Sequence, residues 1–244
     1  WTQVSGPGTA TIEAPSSRST GITFPLPGTY VLRASATHGT EAGTDLAVAV
    51  GSAIAPPMPF SPTATRFGNT PAAAGFTFNP TTNTYNITAG GASIPSTGTA
   101  DQFLFLQQAI NGNCTVVARI VSVGTGGTTT SDNRSGIMLR ESLTDGGSPH
   151  VFLGITKTPA TRFISRAATD TASLNSSGTG TFPCWVRLRR SGNTFLGETA
   201  PDVSGNPGAW TQLGNQTIAM STSAYIGIAS ASGSSTGTTT APVV

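Results

Sequence analysis

The runs CTVVARI at residues 114–120 and CWVRLRR at 184–190 decide the reading of this chain. Both are short and rich in β-branched and aromatic residues, and each opens on a cysteine. Such runs fit a pleated, half-buried surface. Working outward, the same character recurs in FTF, TYNITA, DQFLFLQQ, SGIMLRES, HVFLGIT, RFISR, NTFLGE and AYIGIAS, with Gly, Ser and Asn between them. No long window shows a helical period. FLFLQQAI would fit one helical turn, but its aromatic content assigns it to a strand. About ten short strands with neutral turns predict a β-sandwich or jelly roll over residues 73–244.

Residues 1–51 carry their own strand signals in TATIE, GITF, GTYVLRASA and TDLAVAV. In the third, Tyr30, Leu32, Ala34 and Ala36 alternate with Thr29, Val31, Arg33 and Ser35, which marks one buried face. Pro27 and Gly28 form a turn signal before it. Residues 52–72 hold five prolines and little periodicity, so they read as a semi-rigid linker that Met58 and Phe60 pin to a domain.

Composition narrows the function classes. The chain has 244 residues, enough for one large or two ordinary domains, and 9% are charged against a hydrophobic share of 36%. Short strands joined by neutral loops fit these numbers better than disorder does. Net charge is +2, and the basic residues are scattered arginines with the single lysine Lys157. No basic run tracks a phosphate backbone, so nucleic acid is excluded as a partner. No apolar run approaches the ~20 residues of a membrane helix, so membrane insertion is not expected. The chain opens at Trp1 without a signal peptide, which a processed chain would also lack. Cys114 and Cys184 cannot form a zinc site by themselves, and neither His38 nor His150 lies at finger spacing. If the two cysteine-led strands are neighbours, a Cys114–Cys184 disulfide is expected; the alternative is two buried thiols.

Catalytic patterns are missing. There is no P-loop or dinucleotide fingerprint. Glycosidases need two carboxyls facing one bond, and the nearest acidic pair of the larger region, Glu141 and Asp145, reads as a strand end and turn. The chain is therefore expected not to be an enzyme and to need no cofactor. Structural calcium is the one exception, with Asp101 and Asp132 its weak candidate ligands beside the loop residues Asp145 and Asp202. The most distinctive constellation is Arg119, Arg140, Arg166, Arg187 and Arg189, all within strand-like runs. With one face of the sheet open, Arg119, Arg140, Arg187, Trp185 and Trp210 would line a ligand surface where sugars stack on indoles and bond to guanidinium groups. The competing reading is a structural arginine ladder paired with Asp101 or Glu141. N-x-S/T sequons stand at Asn86, Asn113, Asn133, Asn175 and Asn215.

Two resemblances sharpen this picture. WTQVSGPGTATI, PGTYVLRASATHG and DLAVAV resemble the back half of a PKD-like domain, an Ig-like sandwich, with His38-Gly39 where that family usually has Asp-Gly. ITAGGASIPSTGTADQFLFLQQAINGNCTVVARI, SGIMLRESLTDGGSPHVFLGIT, PCWVRLRRSGNTFLG and AYIGIAS resemble the concanavalin A-like jelly rolls of the DUF1349-like group, found in large bacterial exported proteins. The departures are a longer loop between Asp202 and Trp210, and a last strand barely begun at TTTAPVV. The E-x-D-x-x-E pattern of laminarinase-like jelly rolls is absent. The resemblances imply a partial Ig-like sandwich (1–51), a linker (52–72) and a jelly roll (73–244). They imply an extracellular or cell-surface binding or adhesion segment, with polysaccharide as partner. Two alternatives stay open: a filament or surface-layer subunit completed by strands from other copies of itself, and an accessory module of a polysaccharide-degrading enzyme.

Overall fold

A computed structural model of the chain describes all residues except 7, 19, 21, 24–27, 39–40, 52–61, 96–98, 100, 125–131 and 244. The chain divides into two compact units, Trp1–Phe60 and Ser61–Val244. Among the described residues every regular element is a strand.

In the first unit, β1 (Thr2–Ser5), β4 (Gly28–His38) and β5 (Glu41–Gly51) form an antiparallel sheet, and β2 (Thr11–Ile12) pairs with β3 (Ile22–Thr23). The period of two in β4 holds for Tyr30 and Leu32, which are buried while Arg33 and Ser35 are exposed. It lapses at Ala36, which is exposed. Gly6 packs so closely on Tyr30 that a Cβ there would lie 2.3 Å from the ring. The Gln3 amide fixes the loop after β1, donating to the Gly8 carbonyl and accepting from the Ala10 N–H, both at 2.7 Å. Pro27, Gly39, Met58 and Phe60, on which the turn and linker readings rest, lie outside the described residues.

The second unit is a sandwich of two antiparallel sheets. The seven-stranded sheet runs in the order β14 (Leu174–Thr179), β13 (Ala160–Arg166), β12 (His150–Thr156), β11 (Asn133–Arg140), β19 (Ser223–Ser232), β9 (Leu104–Asn111), β6 (Thr63–Arg66). The eight-stranded sheet runs β17 (Asn206–Pro207), β16 (Thr194–Val203), β15 (Cys184–Ser191), β10 (Cys114–Ile120), β20 (Ser234–Val243), β8 (Thr84–Gly91), β7 (Gly75–Asn79), with β18 (Thr211–Thr217) also paired to β16. Alternation then assigns the faces. Leu153 and Phe163 point toward the other sheet, because a Cβ at Gly197 of β16 would lie 2.4 Å from the Phe163 ring and 3.4 Å from Leu153. Val186 and Leu188 of β15 and Phe195 of β16 are fully buried in the same core.

The other face of the seven-stranded sheet is buried as well. Phe67, Ile94, Phe103, Phe105, Met138, Phe152 and Ile164 make a second apolar cluster there. All eight residues of β11 and all seven of β12 are consequently buried, so these strands show no inside–outside alternation.

Three boundaries differ from the sequence reading. Residues 63–66, placed in the linker, form β6 and pair with β9, and Phe67 enters the second cluster. Residues 234–243, read as a strand missing or barely begun, form β20, which pairs with β8 at Ser234 and again from Thr238 to Val243 and meets β10 at Ile120. The long loop after Asp202 contains a hairpin, β16 to β17, turned by Ser204 (φ 52°) and Gly205 (φ 84°).

Candidate ligand-binding face

Strand parity turns Trp185, Arg187 and Arg189 of β15 away from the core that Val186 and Leu188 fill. The ladder registers set their neighbours. Trp185 lies between Arg119 and Ala200, Arg187 between Val117 and Glu198, and Arg189 between Thr115 and Leu196. Three rows of side chains thus cross β10, β15 and β16 on the outward face of the eight-stranded sheet.

The polar groups of this grid are tied together. Arg119 grips Asp202 with two bonds, Nε to Oδ1 at 2.6 Å and Nη2 to Oδ2 at 3.2 Å. Trp185 Nε1 donates to Asp202 Oδ1 at 2.8 Å, and the Gly205 N–H donates to Oδ2 at 3.1 Å. The Arg119 hydrogen bonds chiefly, with those from Gly205 and Trp185, hold the Asp202 carboxyl down to about 2. Arg187 grips Glu198 in the same two-pronged way, at 2.8 and 3.0 Å, and Arg189 Nη2 reaches Oε2 at 2.8 Å. Glu198 is held below the usual carboxylate range, first by the Arg187 hydrogen bond. The Arg187 guanidinium sits 4.2 Å from the Trp210 ring centroid, a cation–π contact. Three guanidinium groups therefore face two carboxylates, a surplus of one positive charge, and the Arg189 side chain remains 44% exposed.

Of the residues singled out in the sequence, the structure brings Arg119, Trp185, Arg187 and Trp210 together on this face. Arg140 is a correction. It sits on the opposite sheet with no exposed surface, donating from Nη1 to Asp101 Oδ2 at 2.6 Å and from Nε to the Ser142 carbonyl at 2.8 Å. Arg166, equally buried, donates to Asp101 Oδ1 at 2.8 Å and Oδ2 at 3.0 Å. The ladder reading thus describes Arg140 and Arg166 with Asp101, while Glu141 instead accepts the Ser221 N–H. Asp202 and Glu198, which organise the face, were missed as its members; Asp202 is 83 residues from its arginine, beyond any local pattern.

The calcium candidates are also engaged elsewhere. Asp101 is enclosed by two guanidinium groups, a setting that repels a cation. Asp132 is bonded by Arg134 and, at 2.9 Å, by the Ser93 hydroxyl. Among the described residues no group of three or more His, Cys, Asp or Glu side chains could hold a metal ion. The disulfide is corrected as well, for both cysteines are free thiols. β10 and β15 are indeed neighbours, but each cysteine opens its strand and the strands are antiparallel. Cys114 pairs with Arg190, and Cys184 with Ile120, so six residues separate the thiols. At ~3.3 Å per residue that is about 20 Å, against a Cα limit near 7 Å for a bridge. Asn133, one of the five sequon residues, is fully buried.

No family model and no curated protein matches the sequence. Solved structures do. A functionally unknown protein from Saccharomyces cerevisiae superposes with a TM-score of 0.54 at 15% identity, over 76% of this chain and 94% of that one. A xyloglucan-locus GH43B protein from Bacteroides ovatus superposes at 0.43 and 13% identity, over 88% of this chain and 50% of that one. Basic winged bean lectin, solved with Tn-antigen, does so at 0.39 and 8%, over 75% and 92%. The larger unit is an antiparallel jelly-roll β-sandwich of two sheets, a fold shared with the yeast protein. This chain spans half the length of the Bacteroides protein, and the likeness at these identities is one of fold. Within the jelly roll, the candidate face belongs to the eight-stranded sheet, whereas loops and apolar side chains cover the outer face of the seven-stranded one.

Proposed function

We propose that this chain is a non-catalytic binding segment of a secreted or cell-surface protein, and that the outward Arg/Trp grid of its jelly roll recognises polysaccharide. The observation that carries the reading is the grid itself: two indoles and three guanidinium groups, held in fixed geometry by two carboxylates. Indoles present flat apolar area to a sugar ring, and guanidinium forks bond to hydroxyls and carboxylates. Rigid anchors lose little entropy on binding. The surplus positive charge favours polymers that carry uronate or sulfate groups.

The carboxylates argue for binding over hydrolysis. A glycosidase keeps one carboxyl protonated by raising its affinity for the proton; Asp202 and Glu198 are both shifted the other way. Both sheets of the jelly roll are assembled from strands of this one chain, which favours a binding module over a subunit that borrows strands there. The low charge, the Ser/Thr-rich loops and the PKD-like and DUF1349-like resemblances support a place in a large exported protein.

Affinity electrophoresis and calorimetry with polygalacturonate, alginate and neutral xylan test the reading. The full chain should bind an acidic polymer more tightly than xylan, and Arg187→Ala and Trp185→Ala should each weaken binding roughly tenfold. Equal binding by wild type and both variants would remove the grid from the ligand site.

A further inference from the structure

The outward grid distributes its charge unevenly. In the row of Arg119, Trp185 and Ala200, the Arg119 guanidinium is matched by Asp202 through two hydrogen bonds. In the row of Val117, Arg187 and Glu198, Arg187 is matched by Glu198 in the same way and stacked on Trp210. The third row runs from Thr115 through Arg189 and Leu196 to Asn215 of β18 and holds no carboxylate. The single ion pair of Arg189 among the described residues goes back to Glu198 Oε2, the oxygen that Arg187 Nε already holds. Exposure follows the same order, with the Arg119 and Arg187 side chains at 23% and 24% and that of Arg189 at 44%.

One carboxylate balances one guanidinium, so the surplus positive charge of the face resides with Arg189. An acidic group laid over the first two rows meets ion pairs of zero net charge and competes with a carboxylate already seated in a two-pronged grip. Laid over the third row, it meets an exposed cation flanked by the neutral Thr115, Leu196 and Asn215. Trp185 and Arg189 are four residues apart on β15, about 13 Å at ~3.3 Å per residue. A polymer lying along this strand therefore rests one sugar on the indole and brings a more distant one to Arg189. The sugars between them face closed pairs, which answer hydroxyls and gain nothing from a charge.

We propose that the grid reads one acidic group per bound segment, through Arg189, and that its ligand is a largely neutral polysaccharide with spaced carboxylate or sulfate groups. Arg119 and Arg187 are positioning residues on this account: their charge is answered within the face, and they hold Asp202, Glu198 and Trp210 in place. The inference rests on the polysaccharide reading of the grid and adds to it the residue that confers acid preference and the density of charge the polymer needs. A dense polyanion then gains no more than a sparse one, because a single cation is open to it.

The test titrates the full chain by calorimetry with polygalacturonate in its free-acid, half methyl-esterified and fully esterified forms, which share one backbone and differ in charge. For wild type, half esterification should weaken binding by no more than about twofold, and full esterification by about three- to fivefold, the range of one exposed ion pair. In Arg189→Gln, which should melt within about 2 °C of wild type because the site is exposed, the acid and ester forms should bind alike. Arg33→Gln, an equal loss of charge at an exposed position of the first unit, should keep the wild-type preference. Lightly sulfated dextran against plain dextran repeats the comparison, and the series with the larger Arg189-dependent difference identifies the oxyanion. An acid-over-ester preference that survives in Arg189→Gln, one that Arg33→Gln also removes, or a steep fall already at half esterification overturns the inference while the polysaccharide reading stands. Binding of no form by wild type, or binding untouched by Arg187→Ala and Trp185→Ala, overturns that reading and the inference with it.

Discussion

Asp101→Asn isolates the buried charge cluster that holds the seven-stranded sheet to its loops. Asp101 Oδ2 accepts from Arg140 Nη1 at 2.6 Å and Arg166 Nη1 at 3.0 Å, and Oδ1 accepts from Arg166 Nη2 at 2.8 Å. All three side chains have no solvent exposure in these ion pairs. Asparagine keeps the shape but turns one oxygen into an N–H donor, which then faces guanidinium donors. It also leaves two buried cations without their counter-charge. Breaking a buried pair by removing one partner costs about 3–5 kcal/mol. At ~2–4 °C per kcal/mol for a unit of this size, the melting transition of the larger unit should fall by about 6–20 °C. Calorimetry of the full chain reads that transition. The double variant Asp101→Asn/Arg166→Met removes one stranded cation, and it should recover part of the loss by non-additive coupling. A drop below about 4 °C for Asp101→Asn would refute the reasoning. It would show that the loop carbonyls around Arg140 and Arg166, and not the carboxylate, compensate the buried charge.

Three other outcomes follow from the geometry. His150 lies between Arg140 and Arg166 on adjacent strands and is wholly buried, and desolvation first, then the two arginines against the opposing pull of Asp101, lower it from 6.5 to about 4. The unfolded chain binds its proton first, so stability is full above pH 6.5 and should fall by about 3 kcal/mol as pH drops to 4; urea midpoints across that range check it, and His150→Leu should flatten the slope. Reductant should leave the melting temperature unchanged, because Cys114 and Cys184 are free; a shift above 2 °C would restore the disulfide. Gly197→Ala would drive a Cβ to 2.4 Å from the Phe163 ring, so overpacking should cost about 1–3 kcal/mol in urea titration.

How much of this was legible depends on whether a strand has one wet face. In β15, core and solvent positions alternate, and the outward set Trp185, Arg187 and Arg189 could be read directly from parity. In β11 both faces are covered, so Arg140 looked like one more outward arginine when it is an interior one. Strands β14 and β18 are mostly exposed and polar, and Ser/Thr/Gly runs such as LNSSGT and TQLGNQT look the same as loops. β20 was discounted for the same reason, although two strands flank it. The cysteine pair fails for a different cause. The bridge was conditional on the two strands being neighbours, which they are, but strand direction decides which ends meet, and direction is not written in either run.

The hairpin at Ser204 and Gly205 sets where this protein can be altered. Loops over the seven-stranded sheet behave as interior, since Arg140 bonds to the carbonyls of Ser142, Asp145 and Gly146 and Arg166 to that of Thr171. An insertion there would pull donors from the cluster. The tip formed by Ser204 and Gly205 is exposed, turns tightly, and projects from the strand that carries Asp202. Grafted peptides, labels or domain fusions belong at that tip, beside the candidate face, with Gly205 retained so that its N–H still caps Asp202.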